Sequence, residues 1–496
     1  EYERTSATSL NAYVLPQVAR YHRRLEGRLE ELRVSAPLRI MKSNGGMYSA
    51  KAAASQPIHT ALSGPAAAVV GAIVVGEATG QPNVISIDVG GTSADICLSR
   101  DGRPEVTTEG EIAGLPLNVP MVDVHTIGAG GGSIARLSPS GSLLVGPESA
   151  GAEPGPVCYG RGGTEPTVTD ANLALGRIAP ALVGGEVTLE LALAERAIAD
   201  RVGRPLGLDV LDAADGIVEI LNNNMAAAIR AVSVEKGYDP REFALVAGGG
   251  AGPLHGCRLA ELLGIPLVIV PASAGLLSTL GLLATDLKND YVQTNVQRAG
   301  SYDLGRINAG LAELEREAVA WLERESVPPE RRTLTRAADL RYANQGYEIT
   351  VPLDDGRGDG ATGLDRAAMD RLVERFHQQH ERLYTWSSAT LPVELVNLRV
   401  TAYGELAKLG LSRYAGPNGA GKREIIDTRR VHFGRQHGSL ETPVYDFDAL
   451  APGWHAIGPA IVEQRFSTVV ILPHHEVRLD EYANLLIEVP RASDGR

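Results

Sequence analysis

Cysteine, basic residues and long apolar runs are all in short supply in this 496-residue sequence, and each shortage removes a class of function. Three cysteines, Cys97, Cys158 and Cys257, cannot all pair and show no CxxC spacing; a disulfide scaffold is excluded and a reduced cytosolic compartment is expected. Asp and Glu number 60 against 47 Lys and Arg, a formal charge of −13. That balance argues against nucleic acid or an anionic membrane surface as a partner. The longest apolar run, "PAAAVVGAIVVG" from Pro65, falls short of a bilayer span and reads as a buried helix. No GK[ST] triplet closes a glycine run, so there is no P-loop, and no G-x-S-x-G elbow offers a serine nucleophile.

Length allows two to four domains with ample core. Residues 13–33 carry the spacing of an amphipathic helix, followed by a short strand, "LRIMKS", and an Asn44-Gly45-Gly46 turn. "LSGPAAAVVGAIVVGEATG" predicts a helix with Pro65 in its first turn and a stop at Gly80. "NVISIDVGGTSADICLSRDGRPEV", residues 83–106, predicts three strands turning at Gly90-Gly91 and Asp101-Gly102. A hairpin at Pro139-Ser140-Gly141 and a long Gly- and Pro-rich loop lead to Asp170, read as the N-cap of the next helix. Helices follow over 188–202 and about 210–235, then strand, glycine loop, helix and strand in "EFALVAGGGAGPLHGCRLAELLGIPLVIVP". Helices over 303–326 and 365–384 flank a strand pair in "TRAADLRYANQGYEITVPL", and the chain beyond is mostly β.

Glycine is what the sequence has in plenty, and three clusters each follow an apolar strand. They are Asp88-Val-Gly90-Gly91-Thr92-Ser93, Gly128-Ala-Gly130-Gly131-Gly132-Ser133, and Gly248-Gly249-Gly250-Ala-Gly252-Pro253. Glycine allows close backbone approach and positive φ, so successive N–H groups converge on an anion, and the Thr92 hydroxyl adds a donor. The Asp88 carboxylate repels phosphate; it suits a Mg²⁺ ion, or its water shell, bridging to phosphates. One such loop is as readily a plain tight turn; three in one domain, with an acid at the strand end, favour a phosphate site. The Gly248 loop resembles a dinucleotide fingerprint only superficially, because "IPLVIVP" ends without the acid that would hold a ribose.

Other candidates weigh less. Cys158 has no neighbour that signals an activated thiol and reads as a plain loop cysteine. His377, His380 and Glu381 on one helix read as a solvated face before a metal site. His125 and His255 flank glycine loops and could reach phosphate or base, but a satisfied structural histidine is the first reading of each.

"DVGGTSAD", "TIGAGGGSIA", "VGPESAGAEPGPVCYGRGGTEPTVTDANLALGRI", "AGGGAGPLHG" and "GPAIVEQ" together resemble the hydantoinase A/5-oxoprolinase family, from Glu1 to about Glu488. That family takes in ATP-binding subunits of N-methylhydantoinases, lactam hydrolases and the acetone and acetophenone carboxylases. The resemblance implies an α/β, actin-like ATPase (ribonuclease H-like) lobe with additional α+β and mostly-β C-terminal domains. It implies ATP and Mg²⁺ as cofactors, with Asp88 to Asp95 matching a phosphate hairpin and Gly248 to Gly252 an adenosine-side loop. Asp88 and Asp95 are then the catalytic candidates, Asp88 the metal ligand, and Gly90, Gly91, Thr92, Ser93, Gly130, Gly131, Gly248, Gly249, Gly250 and Gly252 the nucleotide contacts. Ala94 departs from the hydroxyl that relatives place there, and Gly249 follows Gly248 where many carry Phe before the glycine pair. The domains read as 1–55, a helical and strand remnant; 56–290, the ATPase-type core; 291–405, α+β; and 406–496, mostly β. The family opens with a lobe carrying a "DIGGTFTD" hairpin, which is expected upstream of Glu1.

The implied function is ATP-dependent opening of a cyclic amide (a hydantoin, 5-oxoproline or related lactam) through phosphorylation of its carbonyl oxygen. A hydantoinase B-type subunit is the implied partner in a hetero-oligomer. A ketone carboxylase subunit and a non-catalytic scaffold are the alternatives.

Overall fold

The computed structural model describes residues 2–490 except 113, 183–186, 273, 299, 354–362, 408–410 and 418–423. Its contacts divide the chain into two units: Glu1–Ala66 with Val106–Val122 and Thr285–Lys408, and Ala67–Glu105 with Asp123–Ala284 and Leu409–Arg496.

The second unit is built on a nine-stranded mixed sheet. The strand Val84–Val89 lies at its heart, antiparallel to Ala94–Arg100 on one side and parallel to Ala244–Gly248 on the other. Leu267–Val270 continues the parallel set, and Leu485–Glu488 then joins antiparallel. Val84, Ile85, Ile87 and Val89 are all buried, whichever way they point. A strand covered on both faces reads as a near-continuous apolar run, which is why "VISIDV" does not alternate.

Helix Val210–Val232 is capped by Asp209, whose carboxylate accepts from the Asp212 amide at 2.8 Å, and buries Ile217, Leu221, Met225 and Ile229 along one face. Helix Ser63–Ala78 packs Ala68, Ala72 and Val75 with Val84, Val246, Ile269 and Leu277. It meets helix Leu277–Ala284 at Gly71 and Gly281; a Cβ on Gly281 would stand 1.8 Å from the Ala67 carbonyl oxygen. A four-stranded sheet, Ile425–His432, Ser439–Asp446, Ala460–Gln464 and Ser467–Ile471, completes the unit.

The first unit is a six-stranded sheet whose long members, Leu287–Gln297, Val393–Gly404 and Arg332–Tyr342, pair antiparallel. Helices Leu304–Arg324 and Arg366–Tyr384 accompany it, capped by Asp303 and Asp365. No described helix is long and apolar enough to cross a membrane.

Three local expectations need correction. The first helix runs Tyr2–Glu31, ten residues or so earlier than its apolar spacing indicates, and passes through Pro16. Asp170 is the third residue of helix Val168–Ala174; Thr167 is the cap, in a reciprocal capping box. His377 and His380 do not form a solvated face. His380 is fully buried, its Nδ1 2.8 Å from the Trp386 carbonyl oxygen, and His377 Nδ1 lies 2.8 Å from the Tyr342 hydroxyl. Tyr342 stacks on both Trp386 and His377, so these histidines are members of an aromatic cluster.

Candidate nucleotide site

The turn after Val84–Val89 returns the chain as Ala94–Arg100, which sets Asp88 directly opposite Asp95. The second glycine loop is laced to that turn by backbone bonds: the Gly131 amide donates to the Gly90 carbonyl at 3.1 Å and Gly132 to Gly91 at 2.6 Å. The approach is too tight for a side chain, since a Cβ on Gly130 would lie 2.7 Å from the Gly90 oxygen and the Thr92 nitrogen. The third loop joins through the Ala251 amide, which donates to the Val89 carbonyl at 3.0 Å. Gly249, at φ +80°, fits against it; its Cβ would meet Val89 O at 2.3 Å and Asp88 Oδ1 at 2.5 Å. Three loops far apart in sequence therefore converge.

They converge on a cavity of about 780 Å³. Gly90, Gly91, Gly131 and Gly250 line it, as does Thr169, whose hydroxyl donates to the Gly131 carbonyl at 2.8 Å. Helix Gly252–Leu263 begins beside it, with Ala251 and Leu254 also in the wall. A helix start turns unpaired amides and a partial positive charge toward an anion. Of the remaining expected contacts, Gly248 packs on Leu277, Gly252 opens the helix, Gly130 and Gly249 permit the loops' approach, and Thr92 and Ser93 complete the turn. None of these six lines the cavity itself, nor do Asp88 and Asp95.

Burial pushes the Asp88 carboxyl up to about 6, with the facing Asp95 adding to the rise. Burial also raises Asp95, against the hydrogen bond it accepts from the Thr126 hydroxyl at 2.6 Å. The Asp88 carboxylate makes no hydrogen bond to any described residue. A half-buried carboxylate without donors, beside a second carboxylate, is a donor set for a hard cation. Among the described residues no cluster of three or more His, Cys, Asp and Glu is poised to hold a metal by itself. Two carboxylates fit Mg²⁺, which takes one or two protein oxygens and completes its octahedron with water and phosphate.

The four-stranded sheet and its turns add Asp446, Asp448, Glu463, Gln464, Arg465 and Phe466 to the lining. Phe466 is 44% exposed, with the Arg465 guanidinium 5.3 Å from its ring centre. Glu463 and Gln464 belong to the "GPAIVEQ" motif, but nothing in the sequence says which cavity that motif borders. Asp170 was undervalued. Fully buried, it accepts from the amides of Val157, Cys158 and Thr167, pinning the long Gly-Pro loop to the helix. The T-x-x-D spacing of Thr167 and Asp170 was the available signal.

His255 and His125 stay outside the site. His255 is buried with Nδ1 2.8 Å from Asn222 Oδ1, and burial holds its pKa down at about 3, so the ring is neutral. His125 is exposed on the edge strand His125–Ile127. Cys158 is fully buried and its thiol pKa is driven far up, which removes it as a nucleophile.

The layered sheet with its glycine turns is an actin-like ATPase lobe, accompanied by α+β and mostly-β C-terminal parts. The chain belongs to the hydantoinase/oxoprolinase family: residues 4–291 match the Hydantoinase/oxoprolinase model and 297–488 its C-terminal domain. It is 39% identical over 487 residues to Caprolactamase subunit alpha of Pseudomonas jessenii, covering 97% of this chain and 69% of that protein. It is 30% identical to the Acetone carboxylase beta subunit of Xanthobacter autotrophicus, covering 97% and 68%. The crystal structure of ATP-dependent caprolactamase from Pseudomonas jessenii superposes with a TM-score of 0.88 at 38% identity, over 98% of this chain and 70% of that one. Nucleotide-free acetone carboxylase superposes at 0.76 with 27% identity, over 99% and 70%.

Proposed function

We propose that this chain is the ATP-handling, A-type subunit of an enzyme that opens a cyclic amide. The observation that carries the reading is the convergence of three glycine loops on one cavity beside the Asp88–Asp95 pair. The similarity to a caprolactamase subunit supports the choice of substrate class.

The cavity is chemically mixed. Backbone of the Gly90, Gly131 and Gly250 loops lines it, and the Gly91 and Gly250 amides, which donate to no described residue, suit the phosphates. Asp446, Asp448 and Glu463 line it too; carboxylates repel phosphate but accept hydrogen bonds from ribose hydroxyls, and Phe466 offers a face for the base. Asp88 and Asp95 would hold Mg²⁺, which neutralises charge on the phosphoryl oxygens when bound.

An amide resists water because resonance stabilises its carbonyl and nitrogen leaves poorly. Transfer of the γ-phosphoryl to the carbonyl oxygen, with loss of the N–H proton, forms an imidate phosphate and ADP. Water then adds to the carbon, the ring C–N bond breaks with nitrogen leaving as the amine, and the acyl phosphate is hydrolysed to acid and inorganic phosphate. This chain's share is to fix ATP and donate hydrogen bonds to the developing charge. A B-type partner supplies the hydrolytic half.

The test combines this chain with its B-type partner, ATP, Mg²⁺ and a lactam. One ADP and one phosphate should appear per amino acid formed, and hydroxylamine should trap the acyl phosphate as a hydroxamate. ADP release indifferent to the lactam, with no hydroxamate, would refute the scheme. The acetone carboxylase similarity supports a second reading, in which a ketone enolate is phosphorylated on the same oxygen and joined to bicarbonate carbon. Acetoacetate formed from acetone, with no lactam turnover, would decide for it.

A further inference from the structure

The first unit contains a cavity of its own, about 280 Å³, separate in its lining from the glycine-loop site. Lys42 and Asn44 reach it from the turn after the strand Arg39–Met41, His59 from the turn Pro57–Thr60, Asn289 and Asp290 from the strand Leu287–Gln297, and Glu317 from the helix Leu304–Arg324. That volume holds roughly nine water-sized portions, enough for a small organic molecule.

Its inner wall sets a cation beside a carboxylate. Lys42 is 3% exposed, yet its ammonium bonds uncharged acceptors: Asn289 Oδ1 at 2.6 Å and the Lys288 carbonyl at 3.3 Å. An ammonium has three N–H groups, so one is left over. Each oxygen of Asp290 accepts one bond, from Asn44 Nδ2 at 2.6 Å and from the Thr401 hydroxyl at 2.7 Å. A carboxylate has about four lone-pair sites, so acceptor capacity remains. Burial, then Lys42, hold the His59 pKa down at about 4, and the ring is neutral. Neither the His59 ring nor the Gln56 amide at the rim makes a hydrogen bond to a described residue.

This lining selects by charge. An anion gains Lys42 but meets Asp290 and, at the rim, Glu317. A cation gains the carboxylates but meets Lys42. A neutral molecule offering a carbonyl oxygen next to an N–H satisfies Lys42 and Asp290 at once. We propose that this cavity is a binding site for a small uncharged amide, its carbonyl accepting from Lys42 Nζ and its N–H donating to Asp290. The inference rests on the proposed function for its choice of lactams as probes, and it gives that substrate class a site on this chain.

The test titrates 2-pyrrolidinone into the full chain without ATP, followed by saturation-transfer NMR. Saturable binding is expected. The same ring carrying a carboxylate, 5-oxoproline, should bind at least about tenfold more weakly because it brings a like charge to Asp290 and Glu317. Lys42→Met should cost at least about tenfold by removing a charged donor. Because Lys42 is buried, Gln56→Trp at the exposed rim provides a variant that leaves the interior intact and should block entry. Absence of saturable pyrrolidinone binding, equal binding of 5-oxoproline, or undiminished binding to folded Gln56→Trp protein would overturn the proposal. ATP binding, titrated on the same samples, separates the two ideas: lost amide binding with ATP binding intact removes this site alone.

Discussion

Asp88 and Asp95 face each other across the antiparallel strands Val84–Val89 and Ala94–Arg100, two carboxylates on one face of the sheet beside the glycine turn. Like charges directly opposite each other destabilise a strand pair. The arrangement therefore costs stability unless a proton or a cation sits there, and that cost is measurable.

Folded Asp88 holds its proton more tightly than an unfolded chain does, about 6 against the ordinary 3.8. The sign follows: its contribution is full below pH 3.8 and is lost as pH rises through about 6. Asp88→Asn should thus stabilise the metal-free protein by about 1–3 kcal/mol at pH 8 and by almost nothing at pH 4. Urea unfolding at the two pH values checks this. A variant less stable than the parent at pH 8 would refute the repulsion.

The same substitution should abolish ATP-dependent turnover in the assembled enzyme while the fold persists. Turnover of the unsubstituted enzyme at limiting Mg²⁺ should climb as pH rises through about 6, because proton and cation compete for one carboxylate. Higher Mg²⁺ should move that midpoint downward. A midpoint that ignores Mg²⁺, or normal turnover by Asp88→Asn, would remove the pair from metal binding.

Gly249 sits at φ +80°, and a Cβ there would strike Val89 O and Asp88 Oδ1 at 2.3 and 2.5 Å. Gly249→Ala should cost at least about 2 kcal/mol of stability and weaken ATP binding, since the loop must retreat. Gly141, at φ +83° with open space around it, isolates backbone strain from crowding. Gly141→Ala should cost only about 1 kcal/mol and leave ATP binding unchanged. Thermal unfolding and calorimetric ATP titration of both variants give the comparison.

Phe466 lines the cavity with nearly half its surface exposed. If a base rests on its face, Phe466→Ala should weaken ATP by about 1–3 kcal/mol and weaken inorganic triphosphate not at all. Equal losses for both ligands would place the ring against phosphate and invert the orientation proposed for the nucleotide.

His125→Asn should change stability by less than about 0.5 kcal/mol, because its side chain is exposed on an edge strand. His255→Asn should cost more, since it disturbs a fully buried ring bonded to Asn222. Chemical unfolding of the pair checks the contrast.

Local chemistry carried much of this fold in the open. "VISIDVGGTSADICLSR" declares two strands and their turn through apolar runs broken by paired glycines, and Asp365 and Asp303 announce helices as caps ahead of periodic residues. The glycine loops were legible for the same reason: a backbone that must come close leaves no side chain to disguise it. What only tertiary structure decided is which distant groups meet. Nothing along the chain says that Phe466 and Gly90 line one cavity, that Asp290 lies beside Lys42, or that His380 is sealed in an aromatic cluster rather than wetted on a helix face. Periodicity reports which face of an element is apolar; it does not report what that face packs against, and burial, pKa and cavity chemistry are set by the neighbour.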